Sequence, residues 1–217
     1  MKLFNQIFKK DSDPTPETSD KQAEAIASGW KNIASTIAIL VIAPVMAILI
    51  TLFVFQSYEV FGESMETSLQ NGDRLIVQKV SKNWSTLLGN DYIPTRGEII
   101  VFDRPAFVSN TIGNVEHLIK RVVGLPGERV VVTDGEVTIY NDEFPDGYDP
   151  DDDKEFAKDI LTTPGNADIT VGVSEVFVLG DNRTNSRDSR SFGAINTDTI
   201  TGVATLRFIP ITNFTNL

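Results

Sequence analysis

Cysteine is missing from all 217 residues, and histidine occurs once, as His117. The first absence excludes disulfides, Cys-ligated metal centres and a thiol nucleophile. Together with the second it excludes Cys–His catalysis and metal sites built from several imidazoles. Among histidine schemes only a Ser–His arrangement through His117 stays open. Positive charge is also short: 19 Lys and Arg against 30 Asp and Glu leave a net charge of -11. Binding duplex nucleic acid requires a basic face against phosphate, so that function class is disfavoured.

What is present begins with one long apolar run. Ile33–Phe55 is 23 residues without a charge, rich in Ile, Ala, Val and Leu and interrupted by Pro44. At 1.5 Å per residue a helix of this length spans roughly 34 Å, enough for a hydrocarbon core of about 30 Å. A buried core helix seldom runs so far without a polar face. A cleavable secretory leader has a shorter apolar region and a small-residue cleavage site after it. The run therefore reads as an uncleaved anchor over residues 30–57. Lys9, Lys10, Lys21 and Lys31 precede it, and no Lys or Arg follows until Arg74. This asymmetry predicts a cytoplasmic N-terminus and places residues 58–217 outside the cytoplasm.

Residues 11–20, DSDPTPETSD, predict a disordered stretch in a cytoplasmic tail spanning 1–29. From Tyr58 onward the texture changes to short β-branched runs separated by Gly, Pro, Asn and Asp. Arg74–Val80, Glu98–Phe102, Leu118–Val123, Arg129–Val132, Val137–Tyr140, Val176–Leu179 and Val203–Ile209 read as strands of a mostly β domain, sandwich or barrel-like. Residues 142–159 stand apart, with nine acids against two lysines. Asp149, Asp151 and Asp153 begin like an EF-hand loop, but Lys154 and Ile160 occupy the positions of its Gly and Glu. A solvated acidic insertion or small subdomain over 142–174 is the expectation.

A serine nucleophile can use lysine as its base when burial lowers the amine pKa. Four segments bear on that scheme: GESMETSLQNGDRLIVQK (62–79), RGEIIVF (96–102), IKRVVGLPGE (119–128) and GDNRTNSRDSRSFG (180–193). In their order and spacing behind a single apolar run, they resemble the bacterial type I signal peptidases in their short, single-span form. The resemblance covers about residues 30–212. It implies a signal-peptidase-like β catalytic domain behind one N-terminal transmembrane helix, and a serine endopeptidase that removes signal peptides from exported preproteins. Ser64 is similar to the family's nucleophile and Lys120 to its general base. Ser186 matches the serine that hydrogen-bonds the lysine, Asp188 and Arg190 a bracing pair, and Gly180 and Asn182 the loop beside the lysine. Tyr58, Val60, Gly62, Met65 and Leu118 are the implied substrate-binding positions. The implied partners are preprotein signal peptides and membrane lipid, with no nucleic acid and no cofactor.

The residues can be read alongside the resemblance. If 117–123 is a strand, Leu118, Lys120 and Val122 share one face, and His117, Ile119 and Arg121 the other. His117 then points away from Lys120 and reads as an ordinary strand or surface histidine. Reading Tyr58–Glu63 as a strand puts Tyr58, Val60 and Gly62 on the face of Ser64. A substrate strand added beside it presents alternate side chains, and the family's pockets for residues -1 and -3 are small and apolar. The chain departs from the usual Ser-Met-x-Pro-Thr-Leu: Thr67 replaces the proline and Ser68 the threonine. Gly62 stands where some members carry a serine, leaving the backbone N–H of Ser64 more of the oxyanion role. A specialised peptidase with few substrates, and an inactive membrane-tethered binding module, are the competing readings.

Overall fold

The computed structural model describes residues 35–51, 53–89, 91–105, 115–152, 157 and 160–217. The expected tail (1–29), the first residues of the anchor and part of the acidic segment lie outside the described residues. The chain divides into two units, Met1–Leu49 and Ile50–Leu217. In the first, residues 35–49 belong to helix α1 (35–51), whose side chains are exposed. Among the described residues no helix is long and apolar enough to cross a membrane.

The second unit is mostly β. Its larger sheet has eight strands among the described residues: β1 (Phe55–Glu59), β2 (Arg74–Gln78), β3 (Ile99–Pro105), β4 (Val115–Gly124), β8 (Glu175–Leu179), β9 (Ile195–Asn196), β10 (Ile200–Ile209) and β11 (Thr215–Asn216). Their order is β1-β2-β10-β3-β4-β8-β9, with β11 paired to β10. The smaller sheet, β6-β5-β7, uses β5 (Arg129–Thr133), β6 (Glu136–Tyr140) and β7 (Ala167–Thr170). All seven expected strands are present with shifted ends, and β7 emerges inside the expected acidic insertion. Helix α2 (Val80–Leu87) follows β2, where the strand was expected to run on to Val80.

Alternation along the central strands builds the core. Ile99 and Val101 of β3 pack with Val60, Met65, Leu69, Leu75 and Val77. Ile100 and Phe102, on the opposite face, pack with Val122, Val176, Val178 and Ile200. A strand buried on both faces reads as a continuous apolar run, as IIVF does. The antiparallel β3–β4 register sets Ile100 opposite Lys120 and Ile99 opposite Arg121. In β4, Leu118 packs with the second cluster and Ile119 with the first, so alternation holds up to the lysine.

One expectation is corrected here. β1 ends at Glu59, and Gly62 and Ser64 lie in a turn rather than in a strand. The chain bends because Val60 already exchanges backbone bonds across the loop, its N–H with Asp73 O at 2.8 Å and its carbonyl with Gly72 N at 2.9 Å. Gly62 has φ of +90°, and an added Cβ would meet nothing within 4 Å. Its backbone angle, not crowding, calls for glycine.

Candidate active site

Ser64 opens the turn that follows, and two buried side chains hold the turn down: Met65 at 1% exposure and Leu69 at 0%. The N–H of Leu69 donates to Met65 O at 2.8 Å, and that of Gly62 to Asn71 Oδ1 at 2.9 Å. Asn182 reaches the same turn from the 180–186 loop. Its N–H donates to Ser64 O at 3.1 Å and its side-chain amide to Glu63 O at 3.1 Å. Gly180 lies so close that a Cβ would sit 2.4 Å from Ser64 O and 2.2 Å from Ser186 Oγ. Any larger residue would force this loop away from the serine.

Lys120 is 3% exposed. Its Nζ lies 2.6 Å from Ser64 Oγ and 2.8 Å from the carbonyl of Ile119. Burial lowers the amine pKa from 10.5 to about 8, against the upward pull of Asp188, Asp181 and Glu116. Desolvation disfavours the ammonium, and no carboxylate among the described residues forms a salt bridge with it. A hydroxyl in contact with an amine that sheds its proton near neutrality is the geometry of a nucleophile and its base.

Ser186 lies beside Gly180, where an added Cβ would meet its Oγ at 2.2 Å. Its Oγ is buried with no hydrogen-bond partner among the described residues, and the bonds of Lys120 Nζ go to Ser64 and Ile119 instead. Asp188 and Arg190 do pair, Nε to Oδ1 at 2.8 Å and Nη2 to Oδ2 at 2.7 Å. Asp188 also accepts from Gly180 N at 3.1 Å and caps the short helix α3 (Ser189–Phe192). His117 bonds Asp103 at 2.6 Å on the exposed side of β4, with its ring edge-on to Tyr58 at 5.7 Å.

Two cavities meet at the pair. One, of about 360 Å³, is walled by Tyr58, Val60, Met65, Val101, Leu118 and Ile119, with His117 at its rim and Ser64 and Lys120 in its lining. The other, of about 560 Å³, also touches Ser64, Lys120 and Leu118, and adds Phe61 and Gly62 to the charged Glu63, Glu66, Glu116 and Arg187. Four of the five expected substrate positions line the apolar cavity. Gly62 lines the charged one.

Of the ion pairs that sequence reasoning missed, two bear on the site. Arg121 holds Asp181 with two bonds, at 2.8 and 2.6 Å, and also donates to Gly97 O and Ser68 Oγ. The hydroxyl of Ser68, at a departure from the family pattern, is thereby used. Arg183 pairs with Asp151 of the acidic segment. The signal for the first was the Lys120–Arg121 dipeptide itself, since two adjacent cations on a core strand cannot both stay unpaired. Nothing local signals the second.

The family model for signal peptidases, peptidase S26, matches residues 33–209. A probable signal peptidase I-1 of Synechocystis sp. is 33% identical over 200 residues, covering 90% of this chain and 92% of its own. Signal peptidase I of Leptolyngbya laminosa is 34% identical over 212 residues, 91% of each chain. Signal peptidase I P of Bacillus subtilis subsp. natto is 33% identical over 182 residues, 83% of this chain and 91% of that one.

Proposed function

Since the chain belongs to the peptidase S26 family of signal peptidases and is a serine endopeptidase that removes signal peptides, we propose that it cuts them with a Ser64–Lys120 dyad. The observation that carries the assignment is the 2.6 Å contact between Ser64 Oγ and a Lys120 amine that burial has lowered to about 8. Neutral Lys120 takes the hydroxyl proton as Ser64 Oγ attacks the scissile carbonyl, and the resulting ammonium protonates the leaving amine. The backbone N–H of Ser64 stabilises the oxyanion, and Lys120 then activates water against the acyl-enzyme. Ser186 Oγ, buried beside Gly180 with no partner among the described residues, is available to Lys120 as its charge changes. Gly180 and Asn182 hold the carbonyl side of Ser64, and Asp188 with Arg190 stiffens the loop that carries them.

The substrate lies extended along the apolar cavity walled by Tyr58, Val60, Met65 and Leu118, with its -1 and -3 side chains in it. That cavity favours Ala at -1 and Ala, Ser or Val at -3. Residues 30–57 anchor the enzyme, with 1–29 cytoplasmic and 58–217 forming the extracytoplasmic catalytic domain. This topology rests on the apolar run and the flanking lysines.

Incubation of the full chain with a preprotein tests the reading. Ser64→Ala is expected to abolish cleavage and to leave thermal unfolding unchanged. Turnover in a clean Ser64→Ala preparation would remove the serine from its role. For topology, protease added to intact cells is expected to digest 58–217 and spare the tail.

A further inference from the structure

The acidic insertion over 142–174 is expected from sequence to be solvated, yet two of its residues, Asp151 and Thr163, hold the guanidinium of Arg183. Arg183 is 3% exposed. Asp151 receives both its Nη atoms, Nη2 at 2.8 Å, and Thr163 Oγ1 accepts from Nη1 at 2.7 Å. Asp149 fixes the backbone of Asp151 by accepting from its N–H at 2.8 Å. Farther along, Pro164 O accepts from Arg190 at 2.7 Å. The segment therefore grips both ends of the stretch that runs from Arg183 to Arg190.

That stretch leads directly to the serine. Arg183 follows Asn182, whose two donors hold the carbonyls of Glu63 and Ser64, and precedes Asn185, which donates to Glu63 Oε2 at 2.9 Å. The turn Arg183–Asn185 is a single 3₁₀ element with no side-chain cap: Asn182 Nδ2 donates to Glu63 O, and its Oδ1 accepts from Thr184 Oγ1. So short a turn does not hold its own shape. A guanidinium cannot lose its proton, so it stays buried only where a carboxylate faces it.

We propose that the Asp151–Arg183 ion pair makes the acidic segment a positioning element of the catalytic site, holding the 180–186 loop against the Ser64 carbonyl. Asp151 touches neither substrate nor reacting atoms; it acts through Arg183 and Asn182. The proposal rests on the reading of Ser64 and Lys120 as the catalytic pair. It has a consequence for pH. The groups that face Lys120 are Glu116 from its own strand, Asp181 from the tethered loop, Asp188 from the cap of α3, and Glu63, Glu66 and Arg187 around the shared cavity; Arg121 and Arg190 neutralise Asp181 and Asp188. Releasing the loop admits water to the amine and returns its pKa toward 10.5.

The test uses the full chain and a preprotein, with Asp168→Asn as control because it breaks the exposed Arg129–Asp168 pair on the neighbouring small sheet. Asp151→Asn is expected to lower kcat about tenfold near pH 7.5 with KM changed less than about twofold, since a small displacement at a reacting pair is costly. The acid limb of kcat is expected to move to higher pH, with part of the loss recovered at pH 9.5. Asp151→Glu is expected to restore most of the rate, and Asp168→Asn to change neither kcat nor the limb. Should Asp151→Asn fail to fold, Arg183→Lys, which keeps the charge and loses the two-pronged contact, is read in the same way. An unmoved acid limb, or a rate loss that merely follows the unfolded fraction, overturns the proposal. Ser64→Ala run in parallel separates the readings: an active Ser64→Ala removes the dyad, whereas an inactive one beside a normal Asp151→Asn removes only the tether.

Discussion

Lys120 and Arg121 are neighbours in β4, 3% and 6% exposed, and the surroundings on the two sides of the strand treat their charges in opposite ways. Arg121 meets a buried carboxylate, Asp181, in a two-pronged contact, and its remaining donors find Gly97 O and Ser68 Oγ. Lys120 meets a hydroxyl and a carbonyl. Asp188, Asp181 and Glu116 act on it from beyond salt-bridge range, and burial outweighs all three. The contrast follows from the two chemistries. A guanidinium stays protonated and must be compensated, so it becomes structure. An ammonium can escape burial by releasing its proton, and so becomes a base.

The sharpest break of this comparison is Lys120→Met. Cleavage of a preprotein is expected to fall roughly 10³-fold or more, because the hydroxyl loses its proton acceptor. Arg121→Met is expected to act on stability instead. Leaving Asp181 buried and unpaired costs roughly 3–5 kcal/mol, which denaturant unfolding measures. Next comes the inverse effect on the lysine side, where Lys120→Met is expected to stabilise the fold. A folded-state pKa of about 8 against 10.5 corresponds to a burial cost of up to about 3 kcal/mol. That cost is complete below pH 8, where both states hold the proton. Between pH 8 and 10.5 the unfolded chain binds more protons, so the parent gains stability as pH rises and the advantage of Lys120→Met fades. Over the same range kcat of the parent is expected to climb with pH through about 8, and a rate independent of pH from 6 to 9 would contradict the lysine as base. The smallest effect belongs to His117→Ala, which breaks a half-exposed pair with Asp103. A stability change under about 1 kcal/mol and retention of most turnover are expected, and a large loss would revive the Ser–His scheme.

Strands were readable wherever β-branched residues run together, as in Ile99–Val101 and Arg129–Val132, because that signal is carried by adjacent residues. Their ends were not. β4 extends past Leu118 to Val115 because β3 runs alongside it, with Pro105 opposite Val115. The bend after Glu59 was missed for the same reason: Asp73 and Gly72, across the loop, take up the backbone of Val60. Helix α2, VSKNWSTL, carries few strong helix formers, so propensity alone gave it little support.

By itself the sequence determined the absence of thiol chemistry, the apolar run at 33–55, the strand content and the order of the four motifs around Ser64 and Lys120. Each of these is composition or short-range pattern. Only the tertiary structure decided that Lys120, 56 residues from Ser64, meets it unpaired while Arg121 is paired. It also decided that Ser186 Oγ is left without a partner among the described residues, and that Asp151 grips Arg183 across 32 residues. The physical reason is common to all three. Burial and the identity of the facing group set the state of a charge, and both are contributed by segments distant in sequence, so no local pattern carries them.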